Sequence, residues 1–350
     1  MVLSRAARVS FSDMADLEQR IAGFLAEQVE GSDDVSVSNL YRIPGGASRE
    51  TWSFDASWQR NGTAQKGGFI LRRDPDASLL ETERDLEFHV LKLASDRGVP
   101  APRPLWIEPE GKWLDRPFFI MERIDGCETS AQKLISEPAI DKSQIGRDFV
   151  DILAAIHHLD WSPLVPQHLQ PPAVDGCGTA EIARWQRILD KDALEPQPIL
   201  RAGLAWLTRN LPRPAQRISL IHADYRTGNF LYGEEGGIRA MLDWEMAHLG
   251  DPLEDVGWAC MRPWRWAGDE QMGALMSRED FYRMYSDASG IEIDEGAIRF
   301  WEVLGNLKLA VIFITGARSF CEGRTHTLEM ASLGRNISRL ELEILDLMEV

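Results

Sequence analysis

Two short polar segments of the chain carry residue types suited to phosphoryl transfer. The first begins at His222 and contains Asp224 and Asn229, and the second contains Asp243 and Glu245. Each follows a stretch with strand character, and polar side chains beside strand ends are candidates for chemistry. Phosphoryl transfer needs an acidic residue to deprotonate the acceptor hydroxyl and oxygen ligands to hold Mg²⁺. We therefore expect Asp224 to act as the base and Asn229 and Asp243 to hold the metal.

Neither segment is decisive by itself, because an isolated HxD is more often a capped turn than an active site. The ordered pair HxDxxxxN and DxE, each with a strand before it, favours catalysis. A competing interpretation is a metal-dependent hydrolase that binds zinc or iron through His222, Asp224, Asp243 and His248. The Asp–Asn pair favours Mg²⁺ and phosphate instead, because both residues supply hard oxygen atoms.

The composition excludes several classes of protein. The 350 residues include 38 Lys+Arg and 55 Asp+Glu, so a broad attraction to nucleic acid or anionic lipid is not expected. The four cysteines are widely separated and lack zinc-site spacing, which predicts free thiols in a reducing cytoplasm. We find no export signal and no apolar stretch near the roughly 20 residues of a membrane span. Nothing in the pattern indicates the oligomeric state.

The first third of the chain predicts a small antiparallel sheet with one main helix. Apolar residues at helical spacing predict a leading helix over 13–30 and an amphipathic helix over 78–98. Three strands are expected between them and two more after the second helix, in the order β-β-β-α-β-β. The first three are placed at 35–43, 50–58 and 67–73, with a polar turn over 59–66.

From about residue 130 the pattern becomes mainly helical. Short strands interrupt the helices at 218–223, 229–232 and 238–244, around the two polar segments. The change in pattern predicts an α+β protein in which a small sheet lobe is joined to a larger helical lobe.

The segments HADYRTGNFL and LDWEMAHLGDPLEDVGW are similar to the signature of the aminoglycoside phosphotransferase and choline-kinase-like superfamily. The resemblance runs from the glycine-containing loop at 44–46 to the C-terminal helices. It implies a bilobal protein-kinase-like fold, ATP and Mg²⁺ as cofactors, and transfer of the γ-phosphoryl group to a hydroxyl of a small molecule. It also implies a nucleotide-binding lobe over 1–124 and a helical lobe over 125–350 with the catalytic loop, metal motif and acceptor site.

The resemblance also implies roles for individual residues. Asp224 resembles the catalytic base, and His222 resembles the residue that braces its loop, where Arg226 is a candidate contact to the transferred phosphate or the acceptor. The residues that resemble the family's metal ligands are Asn229, Asp243 and, less directly, Glu245. The residues that resemble the family's nucleotide site are Gly45, Gly46 and Ser48 of the phosphate loop, Arg72, the helix residue Glu87, and the hinge Met121, Glu122 and Arg123.

Arg72 departs from the pattern of many kinases, which place lysine on the third strand. A guanidinium keeps the positive charge and pairs phosphates bidentately, although its geometry differs from that of an ammonium group. The segment FILRR is similar to the corresponding strand in the kinase-like domains of acyl-CoA dehydrogenase fusion proteins, which indicates that branch of the superfamily.

The acceptor is less well defined by the sequence than the reaction. The segment from Trp258 through Arg262, Trp264 and Arg265 interleaves aromatic and basic residues, and Lys308 lies in an otherwise apolar helix. The segment suits an apolar acceptor that carries an anionic group, which favours a hydroxyacyl-type or other apolar alcohol, and Lys308 is a candidate contact to it. Large aromatics in helices, however, usually belong to the core. An aminoglycoside acceptor would need clustered carboxylates instead. A third interpretation is a pseudokinase that binds nucleotide without transferring phosphate.

Overall fold

The computed structural model describes residues 11–43, 49–74, 84–165, 167–266, 271–325 and 327–349. Gly45, Gly46 and Ser48, which the sequence predicts in the phosphate loop, lie outside the described residues. The first part of the helix predicted over 78–98 also lies outside them.

The N-terminal part forms the predicted five-stranded antiparallel sheet, with strand order β1-β2-β3-β5-β4. Its elements are α1 (Phe11–Gln28), β1 (Ser32–Arg42), β2 (Glu50–Arg60), β3 (Thr63–Arg73), α2 (Arg84–Asp96), β4 (Pro104–Glu108) and β5 (Phe118–Glu122). The β-β-β-α-β-β order expected from the sequence is therefore confirmed.

The turn predicted over 59–66 is wrong in length, because β2 and β3 pair continuously to Arg60 and Thr63. Only Asn61 and Gly62 separate the two strands, and both have positive φ, at 53° and 75°. A two-residue type I′ turn requires positive φ at both central positions, which asparagine and glycine tolerate best. The Asn-Gly dipeptide was the signal for this tight hairpin.

The two faces of the sheet pack against different helices. Phe69 and Leu71 of β3 lie in a core that includes Phe24 of α1. Ile70, between them, belongs to the larger core that includes Phe88 of α2. Because successive side chains alternate across a strand, Arg72 lies on the same face as Ile70. This alternation directs Arg72 toward α2 and the two polar segments.

The remaining chain is mainly helical. It contains β6 (Cys127–Glu128), α3 (Ala131–Ser136), α4 (Lys142–His157), α5 (Cys177–Asp192), α6 (Pro198–Arg209), β7 (Ser219–Ile221), β8 (Phe230–Gly233), β9 (Ile238–Met241), β10 (His248–Gly250), α7 (Leu253–Cys260), β11 (Gln271–Met272), β12 (Met276–Ser277), α8 (Arg278–Ser289), α9 (Glu295–Cys321), α10 (Leu328–Leu333) and α11 (Ile337–Met348). Within the described parts of the chain, no helix is both long enough and apolar enough to span a bilayer.

Helix α9 is the central helix of this part, because it is buried around most of its circumference. Its contact with α7 is close at Gly257, where an added Cβ would lie 2.7 Å from Cβ of Trp301. The close packing holds α7 beneath the loop that follows β7. Two small sheets, β7–β10 and β6–β8–β9, then place the two polar segments side by side.

Candidate active site

The first polar segment leaves β7 at Ile221 and is held from below by Asp255 of α7. The Asp255 carboxylate accepts the backbone N–H groups of His222 at 2.8 Å and Ala223 at 2.7 Å. Ala223 has a φ of 67°, which costs a residue with a Cβ about 1–2 kcal/mol. Asp255 is fully buried and also contacts Nε2 of His157 at 3.1 Å. A buried carboxylate therefore fixes the backbone just before Asp224.

His222 lies behind the loop with both ring nitrogens engaged by backbone groups. Its Nε2 donates to the carbonyl of Leu242 at 2.9 Å, and its Nδ1 accepts the N–H of Asp224 at 3.2 Å. Burial lowers the pKa of His222, in agreement with a neutral ring. His222 therefore braces the loop and has no lone pair to offer a metal.

The hydrolase interpretation also required His248 beside Asp224 and Asp243. The structure places His248 elsewhere, with its Nε2 3.1 Å from Glu254 and 3.8 Å from Glu181. Among the described residues, this trio and a surface group at Asp85 are the clusters of three donors able to share an ion. Neither cluster contains Asp224, so the His-rich metal centre does not form.

Asp224 is held by three neighbouring side chains. Its Oδ1 accepts hydrogen bonds from Nε of Arg226 at 2.9 Å and from Nε1 of Trp258 at 3.0 Å. Its Oδ2 accepts one from Nδ2 of Asn229 at 2.5 Å. Asp224 is thus held in one orientation by donors on both of its carboxyl oxygens.

Asn229 and Asp243 come together because β8 and β9 pair. The N–H of Leu242 donates to the carbonyl of Asn229 at 2.8 Å, next to Asp243. Since Nδ2 of Asn229 bonds to Asp224, Oδ1 is the atom left to meet a cation. Asp243 has a left-handed backbone with φ of 60°. The pair presents hard oxygen ligands of the kind that Mg²⁺ prefers.

Arg72 connects the small sheet to the second polar segment. Its Nη1 lies 2.7 Å from Oδ1 of Asp243, its Nε 3.3 Å from Glu87, and its Nη2 3.6 Å from Glu245. Burial opposes ionisation of Asp243, but the Arg72 charge outweighs it and lowers the pKa of Asp243 below its ordinary value. The pKa of Arg72 is raised in turn by the three carboxylates, against the effect of burial.

Arg49 is a site residue that sequence reasoning missed. It is 3% exposed, pairs with Asp74, and places Nε 3.2 Å from Oε2 of Glu87 and 3.7 Å from Glu245. Glu87 therefore shares its two oxygens between two guanidinium groups, those of Arg49 and Arg72. The position of Arg49, directly after the expected phosphate loop, was the signal that could have found it.

The hinge segment uses much of its own backbone within the sheet. The N–H of Glu122 donates to the carbonyl of Arg103, and the N–H of Arg123 donates to the carbonyl of Gly68, both at 3.0 Å. Met121 is paired in β5 with strands on both sides. Since these N–H groups are bonded within the sheet, the next backbone groups along the wall of the cleft are those that follow Arg123.

The Arg123 side chain also braces this region. Its guanidinium lies 2.7 Å from both Asp55 and Asp125, and it crosses directly over Gly68. A Cβ at Gly68 would lie 2.4 Å from Nη2 of Arg123, so a larger residue there would displace the guanidinium. The small residue in β3 thus makes room for the arginine that ties β5 to β2.

Lys308 of α9 lies under the loop that carries Asp224 and is not among the residues that line the cleft. It is 3% exposed, and its Nζ donates to the carbonyl of Ala223 at 2.8 Å. The same ammonium group lies 4.6 Å from the Trp258 ring centroid and 3.7 Å from Glu254. Its contacts support the loop, whereas the sequence suggested a contact to the acceptor.

The aromatic and basic segment is divided by the structure. Arg226 places its guanidinium 4.5 Å from the Trp264 ring centroid, next to Asp224. Arg262 pairs with Glu343 at 3.3 Å, and Arg265 pairs with Glu302 at 3.1 Å. The two arginines therefore bond to C-terminal helices and do not line the cleft.

A cleft of about 830 Å³ gathers the remaining predicted residues. Its lining includes Arg72, Met121, Glu122, Arg123, Asp224, Arg226, Asn229, Asp243, Glu245, Trp258 and Trp264. His222, Glu87 and Lys308 are buried outside this lining and act on it through their neighbours. The lining combines charged groups with apolar residues, among them Leu309, Ile312 and Phe313 of α9.

The chain belongs to the phosphotransferase enzyme family, whose model matches residues 42–301. It is 26% identical over 318 residues to acyl-CoA dehydrogenase family member 11 of Rattus norvegicus, covering 85% of this chain and 38% of that protein. The chain spans between 22% and 38% of the length of the first curated relatives that it matches.

Solved structures show the same kinase-like fold. A protein from Ralstonia eutropha JMP134, provisionally described as an aminoglycoside phosphotransferase, matches with a TM-score of 0.72 and 20% identity, over 95% of this chain and 98% of that one. A thermostable mutant of aminoglycoside phosphotransferase APH(4)-Ia, in a ternary complex with ADP and hygromycin B, matches with a TM-score of 0.58 and 19% identity, over 94% and 98%.

Proposed function

We propose that the protein is an ATP- and Mg²⁺-dependent small-molecule kinase that phosphorylates a hydroxyl group. The observation that carries the proposal is the arrangement of Asp224, which is fixed by Arg226, Asn229 and Trp258 at the edge of the cleft. A carboxylate held in this way can orient an acceptor hydroxyl and take its proton. The neighbouring Arg226 is positioned to contact the phosphoryl group as it transfers.

The residues present fit a magnesium nucleotide. Oδ1 of Asn229 and the carboxylate of Asp243 would hold Mg²⁺, with Glu245 nearby. When bound, Mg²⁺ offsets the negative charge of the phosphates. Arg72 and Arg49 line the same cleft and would pair with phosphate oxygens, which a guanidinium can do bidentately.

The adenine ring would lie against the wall of the cleft formed after β5. Because the N–H groups of Glu122 and Arg123 bond within the sheet, the adenine contacts would come from the carbonyl groups and from Ile124 and Asp125, which also line the cleft. On this basis the nucleotide-binding lobe would extend over 1–124 and the helical lobe over 125–350. The boundary would follow β5 and precede β6, which pairs with β8.

The acceptor that fits best is an apolar alcohol, for which a hydroxyacyl compound is the model. The cleft is also lined by Leu309, Ile312, Phe313 and Leu333, which suit an apolar chain better than a polycation. The similarity to acyl-CoA dehydrogenase family members is in keeping with an acyl-type acceptor. An aminoglycoside is the comparison substrate, because one structural neighbour binds hygromycin B.

The test is ADP release from ATP and Mg²⁺ with hydroxyacyl compounds and aminoglycosides assayed side by side. Asp224→Asn should lower kcat by about a hundredfold or more while nucleotide binding persists, since general-base catalysis contributes about 10²–10⁴. Asp287→Asn, an exposed change on α8, is the matched control and should behave as wild type. Near-normal turnover in Asp224→Asn would remove the proposed base, and nucleotide binding without transfer would indicate a pseudokinase.

A further inference from the structure

We propose that a second cavity beside the cleft binds the apolar arm of the acceptor and recognises an amide group within that arm. The inference rests on the proposed function, because it concerns the substrate of the same site. The second cavity has a volume of about 530 Å³ and lies between the turn at Trp264, helix α9 and helix α11. It shares Trp264, Leu309 and Phe313 with the cleft, so one ligand can occupy both.

Trp264 connects this second cavity to the reacting group. Its ring stacks under the guanidinium of Arg226 at 4.5 Å, and Arg226 donates to Asp224 at 2.9 Å. A hydroxyl at Asp224 would therefore have its carbon chain directed past Trp264. Leu340 and Leu342 of α11 add apolar surface to this cavity, beside the charged residues Arg262, Arg339 and Glu343. The path from Asp224 to the second cavity is the length of the Arg226 guanidinium plus the Trp264 ring, which a medium-length acyl chain spans.

Two buried polar atoms of residues that line this cavity have no hydrogen-bond partner within the described residues. Asn306 is 0% exposed, and its Nδ2 donates to the carbonyl of Glu302 at 2.9 Å, while its Oδ1 accepts nothing there. The indole Nε1 of Trp264 is likewise buried without an acceptor among those residues. Native proteins pair most buried polar atoms, so two such atoms beside one cavity indicate a ligand group.

A secondary amide supplies what the two atoms lack. Its N–H can donate to Oδ1 of Asn306, and its carbonyl can accept from Nε1 of Trp264. An ether or a plain alkyl chain supplies no donor for Asn306. The second cavity thus selects an amphipathic alcohol with an apolar chain and an internal amide over a polycationic sugar. Among its described lining residues the one carboxylate is Glu343, which pairs with Arg262, and Arg339 lies beside it.

The experiment uses the full chain with ATP and Mg²⁺ and the ethanolamides of acetic, butyric, hexanoic and octanoic acid as hydroxyl acceptors. The monooctyl ether of ethylene glycol is the matched acceptor without an amide. We expect KM to fall by up to about fourfold for each added methylene until the cavity is filled. We expect kcat/KM to favour the octanoic ethanolamide over the ether by about tenfold, the effect of one satisfied hydrogen bond.

Two variants locate the effect. Asn306→Leu should remove the preference for amide over ether, because Oδ1 is lost. Leu342→Trp, at a side chain that is 57% exposed, should remove the dependence of KM on chain length by filling the cavity. Leu194→Trp, at a residue that is 56% exposed and lies outside both cavity linings, is its control and should behave as wild type.

Equal KM values along the series, equal use of amide and ether, or identical behaviour of Leu342→Trp and Leu194→Trp would each overturn the inference. Failure of the proposed function is a separate result, namely no ADP release with any acceptor. In that case, calorimetric titration with the octanoic ethanolamide tests binding to the second cavity without turnover. Millimolar or tighter binding that Leu342→Trp abolishes supports the second cavity as its site, and no binding to the wild-type protein overturns it.

Discussion

Nη1 of Arg72 donates to Oδ1 of Asp243 at 2.7 Å, and this contact joins the small sheet to the second polar segment. The same guanidinium contacts Glu87 through Nε at 3.3 Å, so one planar side chain meets two carboxylates from different elements. An ammonium group offers a single charged point and cannot reproduce both contacts from one position. The guanidinium shape of Arg72 is therefore matched to the positions of Asp243 and Glu87.

Replacement of this arginine by lysine tests that geometry. Arg72→Lys should raise the nucleotide KM by about tenfold, because a hydrogen bond to a charged group contributes about 1.5–3 kcal/mol. Steady-state kinetics over a range of ATP concentrations measure the change. Arg73→Lys is the matched control, since Arg73 lies on the opposite face of β3 and pairs with Glu50 at 2.6 Å. Similar KM values for the two variants would contradict the assignment.

Asp255 should be important for stability as well as for the shape of the loop. Burial would raise its pKa, but contacts from His157 and His222 hold the pKa of Asp255 below its ordinary value. Asp255→Asn places an NH₂ group against N–H donors, and loss of a buried charged partner costs about 3–5 kcal/mol. Chemical denaturation should show a loss of that order. Asp287→Asn should change the unfolding free energy by less than about 0.5 kcal/mol.

His248 predicts a dependence of stability on pH. Burial lowers the pKa of His248, but the carboxylates of Glu254 and Glu181 outweigh burial and raise the pKa to about 9. The charge of Arg184 lowers the pKa slightly. Because the folded-state pKa lies above the ordinary 6.5, the stabilisation is complete below pH 6.5 and is lost as pH rises to about 9. The loss should amount to as much as about 3 kcal/mol.

Denaturation at several pH values measures this slope. His248→Gln should flatten the unfolding free energy between pH 6.5 and 9, whereas His158→Gln, at an exposed position, should preserve the slope. An unchanged slope in His248→Gln would assign the pH dependence to other groups.

Lys308 should act on turnover through the backbone of the loop that carries Asp224. Lys308→Met removes the donor to Ala223 but keeps an unbranched apolar stem above Trp258. We expect kcat to fall by about tenfold with little change in the nucleotide KM, since a charged hydrogen bond of this kind is worth about 1.5–3 kcal/mol. A rise in the nucleotide KM with normal kcat would instead place Lys308 in nucleotide binding.

Much of the fold was predictable because it follows from local patterns. The alternation of apolar residues in β2, the short apolar run in β3 and the helical spacing before Gln28 are set by neighbours in the chain. The length of the β2–β3 hairpin was also encoded locally, by Asn61 and Gly62, although the prediction placed a longer turn there. The family resemblance, carried by the two polar segments, is confirmed by the family match over 42–301.

The sequence by itself determined the order of the polar motifs, the residue types that suit magnesium and phosphate, and the arrangement of a small sheet before a helical lobe. Only the tertiary structure decided which distant side chains meet. Arg72 and Asp243 are separated by 171 positions, and Lys308 and Ala223 by 85. Spacing along a chain fixes a side chain's face on its own helix or strand, whereas its partner depends on how whole elements pack together.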